Sequence, residues 1–475
     1  PDTTVLSKAE ITKIMVKAKP MIKGNCVPFL EKHLAKKGHK AFAYAVDKTG
    51  KVSCSQASGY VDLNYLKTKV IDQCEAFRKK QGKNADHGSA CVEENNGSIT
   101  INNQMLIQQG LTDEAIQERE THYLRRVIED CGGLEWLALM NLEEGDGSMR
   151  LDAVYTALLT ETRLEHEITD AGNRERASED SVRQGRLSAV ELLNREQRLV
   201  LLGDPGSGKS AFVNFVALCL AGELLGKEVN LQALTQPLPD DQGQPQIREI
   251  KAKGKSKPTH EAVPQDWDKG VFIPLRVILR DFSASACFPI ESEQPETKHL
   301  LEFLQLDLRN KGCEEYFKVL EDRLRAGRVL VMLDGLDEVA QAGDRRKHLV
   351  ACINEFVKSA STCRFLVTCR PYAYRNREWQ LSEFTSSELA VFGQGQIIRF
   401  IERWYVANEI KSFQQDDPGV RLRAQEGAED LIQRVRNTPS LSALAVNPLL
   451  LTMIATVHRY RSSLPERRVE LYSEI

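Results

Sequence analysis

At 475 residues the chain is too long for one ordinary core and predicts two to four domains. Its 41% hydrophobic and 28% charged residues exclude a disordered polymer, and a formal net charge of -3 excludes overall attraction to nucleic acid or membrane. Eleven cysteines with no C-x-x-C pair exclude a zinc knuckle and a disulfide framework and fit reduced thiols in a cytoplasmic protein. There is no signal-peptide pattern and no apolar run near the roughly 20 residues that span a bilayer, so no membrane partner is expected. Starting at Pro1 and stopping at Ile475 within a helical pattern, the sequence reads as a fragment.

Residues 1–105 read as a small α/β module. They are basic, since residues 1–85 hold 17 Lys/Arg against 7 Asp/Glu. A helical stretch over 6–36 precedes the apolar run Ala41–Val46, an Asp47–Gly50 turn, a second run Val52–Ser58 and a helix over 62–80. Residues 106–198 read as a helical linker, polar over 161–186. Residues 199–392 alternate helical patterns with the short apolar runs Leu199–Leu202, Val271–Val277, Val329–Leu333, Phe365–Thr368 and Leu389–Phe392. Runs of that kind predict a parallel sheet buried on both faces, an α/β fold. Within this zone 233–268 is rich in Pro, Gln, Gly and Asp and predicts a flexible insertion. Residues 393–475 read as a small helical domain, with Ile397, Phe400, Ile401 and Trp404 at helical spacing and a dense apolar run at Leu449–Ile454.

Gly203-Asp204-Pro205-Gly206-Ser207-Gly208-Lys209-Ser210 fits G-x-x-x-x-G-K-[ST] at every position. Glycines let such a loop turn successive backbone N–H groups toward phosphate oxygens, and Lys209 places its ammonium near the β- and γ-phosphates. The Ser210 hydroxyl suits Mg²⁺, and the helix opening at Ala211 points its positive end at the anion. Chance produces this pattern in about 2% of chains of this length. Here an apolar strand precedes it and an amphipathic helix follows, as phosphate binding requires.

Arg328–Asp334 is an apolar strand ending in a carboxylate, which suits the Mg²⁺ shell of a P-loop enzyme. Asp337 and Glu338 follow, and either can orient or deprotonate an attacking water. An acid after a lone strand is more often only a helix cap; the complete phosphate loop favours the metal role for Asp334. A further strand ends at Thr368 and Arg370, and an arginine there can report the γ-phosphate or simply pair with a surface acid.

These elements together resemble the NACHT family of STAND-type P-loop NTPases, through the continuous acidic motif Leu333–Glu338. Pro274–Asp281, Thr368–Pro371, Asn447–Leu451 and Leu464–Tyr472 add to the likeness, the last being similar to bacterial members. The resemblance covers about 120–475. It implies a P-loop NTPase fold, bound ATP or ADP with Mg²⁺, Arg370 as sensor, Pro448 against the adenine and Tyr155 in the segment lining the base pocket. Read alone, Pro448 is a helix-starting proline and Tyr155 a core aromatic. The resemblance further implies a slow ATPase switch that exchanges ADP for ATP and self-associates, in bacterial relatives commonly for antiviral defence, and a winged helix beyond Ile475. Two other readings stand beside it: an ATPase stimulated by nucleic acid gripped through the basic N-terminal module, and a nucleotide-stabilised scaffold without useful hydrolysis.

Overall fold

The computed structural model describes residues 39–46, 52–59, 87–95, 98–103, 112–133, 149–163, 186–250, 259–290, 292–339 and 344–460. The predicted helices at 6–36 and 62–80, the Asp47–Gly50 turn, most of the polar stretch 161–186 and the Leu464–Tyr472 motif lie outside them. Two compact units divide the chain between Glu118 and Arg119.

The first unit carries an antiparallel sheet in the order β2-β1-β3-β4. The two predicted apolar runs form β1 (His39–Val46) and β2 (Val52–Gly59), joined in register from His39↔Gly59 to Val46↔Val52. Strands β3 (His87–Asn95) and β4 (Ser98–Asn103) were not anticipated. The first is Gly-, Ser- and Glu-rich, and the second alternates Ile with polar residues over only six positions.

The boundary falls inside helix α1 (Asp113–Gly132). In the second unit, where helices were expected, β5 (Leu159–Arg163) pairs with β6 (Arg186–Ser188). Ser188 then opens α2 (Ala189–Arg195) with a capping box, its side chain accepting from Glu191 N while Glu191 accepts from Ser188 N.

Strand β7 (Arg198–Leu202) leads through the glycine-rich loop into α3 (Lys209–Leu224), which is buried continuously from Phe212 to Gly222. The expected insertion falls within the described residues over 233–250 and 259–268. It contains the hairpin of β8 (Ile247–Ile250) and β9 (Thr259–Ala262). Its Asp240–Gly243 turn packs so closely on a later helix that a Cβ on Gly395 would sit 1.6 Å from the Asp240 carbonyl oxygen. Composition marked that turn as loop, and tertiary packing fixed it.

Strands β10 (Ile273–Ile278), β11 (Val329–Asp334) and β12 (Arg364–Cys369) complete a parallel sheet with β7 and β13 (Thr385–Glu388), in the order β10-β11-β12-β7-β13. β11 and β12 are buried at every residue, as runs covered on both faces must be. Arg364 opens β12 although it is buried. Its Nη2 lies 2.6, 3.0 and 2.6 Å from the carbonyl oxygens of Leu193, Asn194 and Glu196 at the end of α2. The predicted strand at Leu389–Phe392 is corrected: the paired residues are the polar Thr385–Glu388. β13 is the edge of this sheet and needs no apolar run; β5 touches it through the Thr160↔Leu389 bridge, and Leu389 and Phe392 enter the core just past its end.

Helices α4 (Gln394–Phe413), α5 (Pro418–Asn437) and α6 (Pro448–Tyr460) follow. Ile397, Phe400, Ile401 and Trp404 are all buried, and they join Leu450, Leu451 and Ile454 of α6 and the α3 side chains in one continuous core. Among the described residues no helix is long and apolar enough to cross a membrane.

Candidate nucleotide site

The chain passes from β7 to the far edge of the sheet before filling inward through β11 and β12. Loops at the carboxyl ends of β7, β11 and β12 therefore converge, which is where open α/β sheets place ligands. A cavity of about 340 Å³ opens there. Its lining combines Lys209, Ser210, Asp334, Asp337, Glu338 and Arg370 with the apolar Leu151, Val154, Leu158, Phe392, Phe400 and Pro448. Its size lies within the roughly 300–1,000 Å³ of ligand clefts, and a lining of charged and apolar groups suits a molecule that carries both phosphates and a base.

The phosphate loop is shaped by glycines. Gly206 (φ 78°) and Gly208 (φ 92°) occupy the left-handed region, and Gly208 caps α3. A Cβ on Gly206 would meet Asn447 Oδ1 at 2.7 Å. Lys209 Nζ donates to the carbonyls of Gly203 (2.5 Å) and Asp204 (3.0 Å). Burial lowers its pKa, partly opposed by Asp337. Pro205, Gly206, Gly208, Lys209, Ser210 and Ala211 line the cavity, whereas Gly203, Asp204 and Ser207 form the loop's frame: Gly203 N donates to Cys369 O and Ser207 N to Asp204 O.

Asp334 is held in a fixed geometry. Its Oδ1 accepts from Thr368 Oγ1 (2.6 Å) and Ser210 Oγ (3.2 Å), while Oδ2 faces Arg276 Nη2 at 3.6 Å. Thr368 Oγ1 also accepts from Gly335 N, pinning the turn after β11. Ser210 and Asp334 therefore converge as a hard-oxygen pair that suits Mg²⁺, which takes few protein ligands and completes its shell with water and phosphate oxygens. Among the described residues no group of three His, Cys, Asp or Glu could hold a metal unaided.

Asp337 and Glu338, equivalent in the sequence, differ in the structure. Both oxygens of Asp337 are engaged by one residue, Oδ2 with Arg370 Nε at 2.9 Å and Oδ1 with Arg370 N at 2.9 Å, and its side chain is 8% exposed. Glu338 is half-exposed and, among the described residues, meets only Arg280, at 3.8 Å.

Tyr155 lines the cavity while its ring stacks on Phe215 in the core, centroids 3.7 Å apart. Pro448 both starts α6 and lines the cavity, close to Gly208 of the phosphate loop. Thr368, Arg276 and Asn447 sit inside motifs quoted above, but their contacts join elements distant in sequence, and no local spacing signals them.

Residues 279–408 match the family described as NACHT domain, a stretch that holds Asp334, Asp337, Glu338 and Arg370 and begins after the phosphate loop. No curated protein matches the chain. Residues 279–408 thus carry a NACHT domain, and the five-stranded parallel sheet with the phosphate loop at the carboxyl end of β7 is the fold of a P-loop NTPase.

Proposed function

We propose that the chain binds ATP and ADP with Mg²⁺, hydrolyses ATP slowly, and works as a signalling switch whose ATP state self-associates. The observation that carries this reading is the convergence, around one cavity, of the Lys209 loop, the Ser210–Asp334 pair and the Asp337–Arg370 pair. The loop N–H groups and Lys209 hold the phosphates, and Ser210 and Asp334 hold Mg²⁺, which supplies charge neutralisation there. Glu338, free of a close partner, takes the proton of the attacking water, while Asp337 aims Arg370 at the γ-phosphate. Only a contact that differs between ATP and ADP shifts a conformational equilibrium, and Arg370 is that contact.

Calorimetric titration of ADP and a non-hydrolysable ATP analogue tests it. Lys209→Ala weakens both nucleotides about tenfold or more, as expected for loss of a charge-assisted contact of roughly 1.5–3 kcal/mol. Arg370→Ala weakens the ATP analogue by a similar factor and leaves ADP nearly unchanged; light scattering then shows loss of ATP-driven assembly. Unchanged affinities in Lys209→Ala overturn the phosphate-loop assignment, and equal losses of both nucleotides in Arg370→Ala overturn the sensor.

A further inference from the structure

A second cavity, of about 200 Å³, lies behind the nucleotide cavity and shares Tyr155 and Thr156 with it. Its wall contains two arginines one helical turn apart on α4, Arg399 and Arg403, and no Asp or Glu. Arg403 is partly committed: Nη1 donates to Tyr155 O, and Nη2 donates to Gln236 Oε1 at 2.7 Å. Acids act on the two arginines from outside the wall, Asp152 on Arg403 and Glu402 on Arg399, and Asp241 lies in the turn that packs on α4 at Gly395. Burial, and next the repulsion from Arg399, push Arg403 down to about 10.

Gln265, 5% exposed, belongs to the same wall, and its Nε2 donates to Gln236 O at 2.6 Å, which ties the wall to the residue that Arg403 also holds. Two arginines with no acid in the wall, and apolar faces from Pro237, Pro239 and Pro245, define a complementary molecule. It carries an acidic group on a small carbon skeleton. The cavity lies below the usual ligand-cleft range of about 300 Å³ and excludes anything as large as a nucleotide.

We infer that this cavity is an effector site for a small phosphate- or carboxylate-bearing compound, whose binding on Arg399 and Arg403 alters nucleotide affinity. The route is short. An anion drawing on Arg403 bears on the Tyr155 carbonyl that this arginine holds, and Tyr155 is a wall of the nucleotide cavity. The effector role rests on the proposed nucleotide binding; the site itself does not.

The experiment is calorimetry with glycerol 3-phosphate, with lactate as the carboxylate arm and glycerol as the uncharged control. Binding of at least one of the two acids is expected in the wild type and is retained in Lys209→Ala, which separates this site from the phosphate loop. Arg399→Ala weakens it about tenfold or more, and Ala233→Leu, which fills the cavity without touching an arginine, abolishes it. Saturation with the acid changes ADP affinity at least threefold, and ADP changes the acid's affinity by the same factor. Loss of binding in Lys209→Ala, or binding insensitive to both Arg399→Ala and Ala233→Leu, overturns the site, as does equal binding of glycerol. Acid binding with unchanged ADP affinity overturns the effector role. A wild type that binds no nucleotide but still binds the acid in an Arg399-dependent way overturns the proposed function and leaves the site standing.

Discussion

Asp337 and Glu338 are neighbours with the same charge, and the structure gives them different partners. The Asp337 carboxylate is saturated by Arg370, so a proton it accepted would cost that pairing. Glu338 has no such commitment. Glu338→Gln is therefore expected to leave ATP binding intact and slow single-turnover phosphate release by roughly 10²–10⁴-fold. Asp337→Asn instead frees the Arg370 side chain and lowers the preference for ATP over ADP, with the smaller effect on the chemical step. The opposite pattern in paired release and binding measurements would reverse the two roles. Gly335 serves the same arrangement: at φ 83° it turns the chain after β11, and a Cβ there would sit 3.1 Å from Glu338 Cδ.

At the scale of elements, the glycine-rich loop is wedged between strand and helix rather than merely flexible. Gly206→Ala has two costs, a left-handed backbone and a collision with Asn447 and with Leu449 Cβ at 2.9 Å. Gly226→Ala has only the first, since nothing lies within 4 Å of the added carbon. Denaturant unfolding should show Gly226→Ala destabilised by about 1–2 kcal/mol and Gly206→Ala by clearly more, with nucleotide affinity reduced only in the latter. Equal losses would mean that the contact with Asn447 and Leu449 yields freely. Four of the five strands in this sheet could be read as apolar runs because both their faces are covered. β13 could not, for it sits at an edge with a polar sequence, and β5, β6, β8 and β9 are too short for a periodic signal. The site divides the same way. The phosphate loop, Asp334 and Arg370 declare themselves through local spacing. Thr368 beneath Asp334 and Arg276 across from it become meaningful only once β10, β11 and β12 lie side by side.

On the scale of the whole second unit, the sheet domain and the helices after it share one hydrophobic core, and one of the polar junctions between them lies at the phosphate loop. Asn447 Nδ2 donates to Pro205 O at 3.0 Å, and Leu449 N donates to Gly206 O at 3.2 Å. Pro448 has no N–H to offer, so Leu449 supplies the first amide of α6 that can reach the loop. Asn447 Oδ1 also accepts from Leu449 N and Leu450 N, capping the helix it precedes. Asn447→Ala removes the Pro205 contact and the cap together. Amide exchange at Leu449 and Leu450 should then speed up by about tenfold, in line with roughly 1–2 kcal/mol per lost cap; unchanged exchange would show the junction to be held by apolar packing alone.

That junction makes the phosphate loop a latch plate as well as a cradle. Its residues line the cavity, while two consecutive carbonyls, those of Pro205 and Gly206, are fastened to the start of α6. On the proposed nucleotide binding, a loop that tightened on a phosphate would pull on those two fastenings, and a helix that swung away would slacken the loop. Occupancy and posture would then be read off the same few atoms, and the helices would need no contact of their own with the phosphates to register what the loop held.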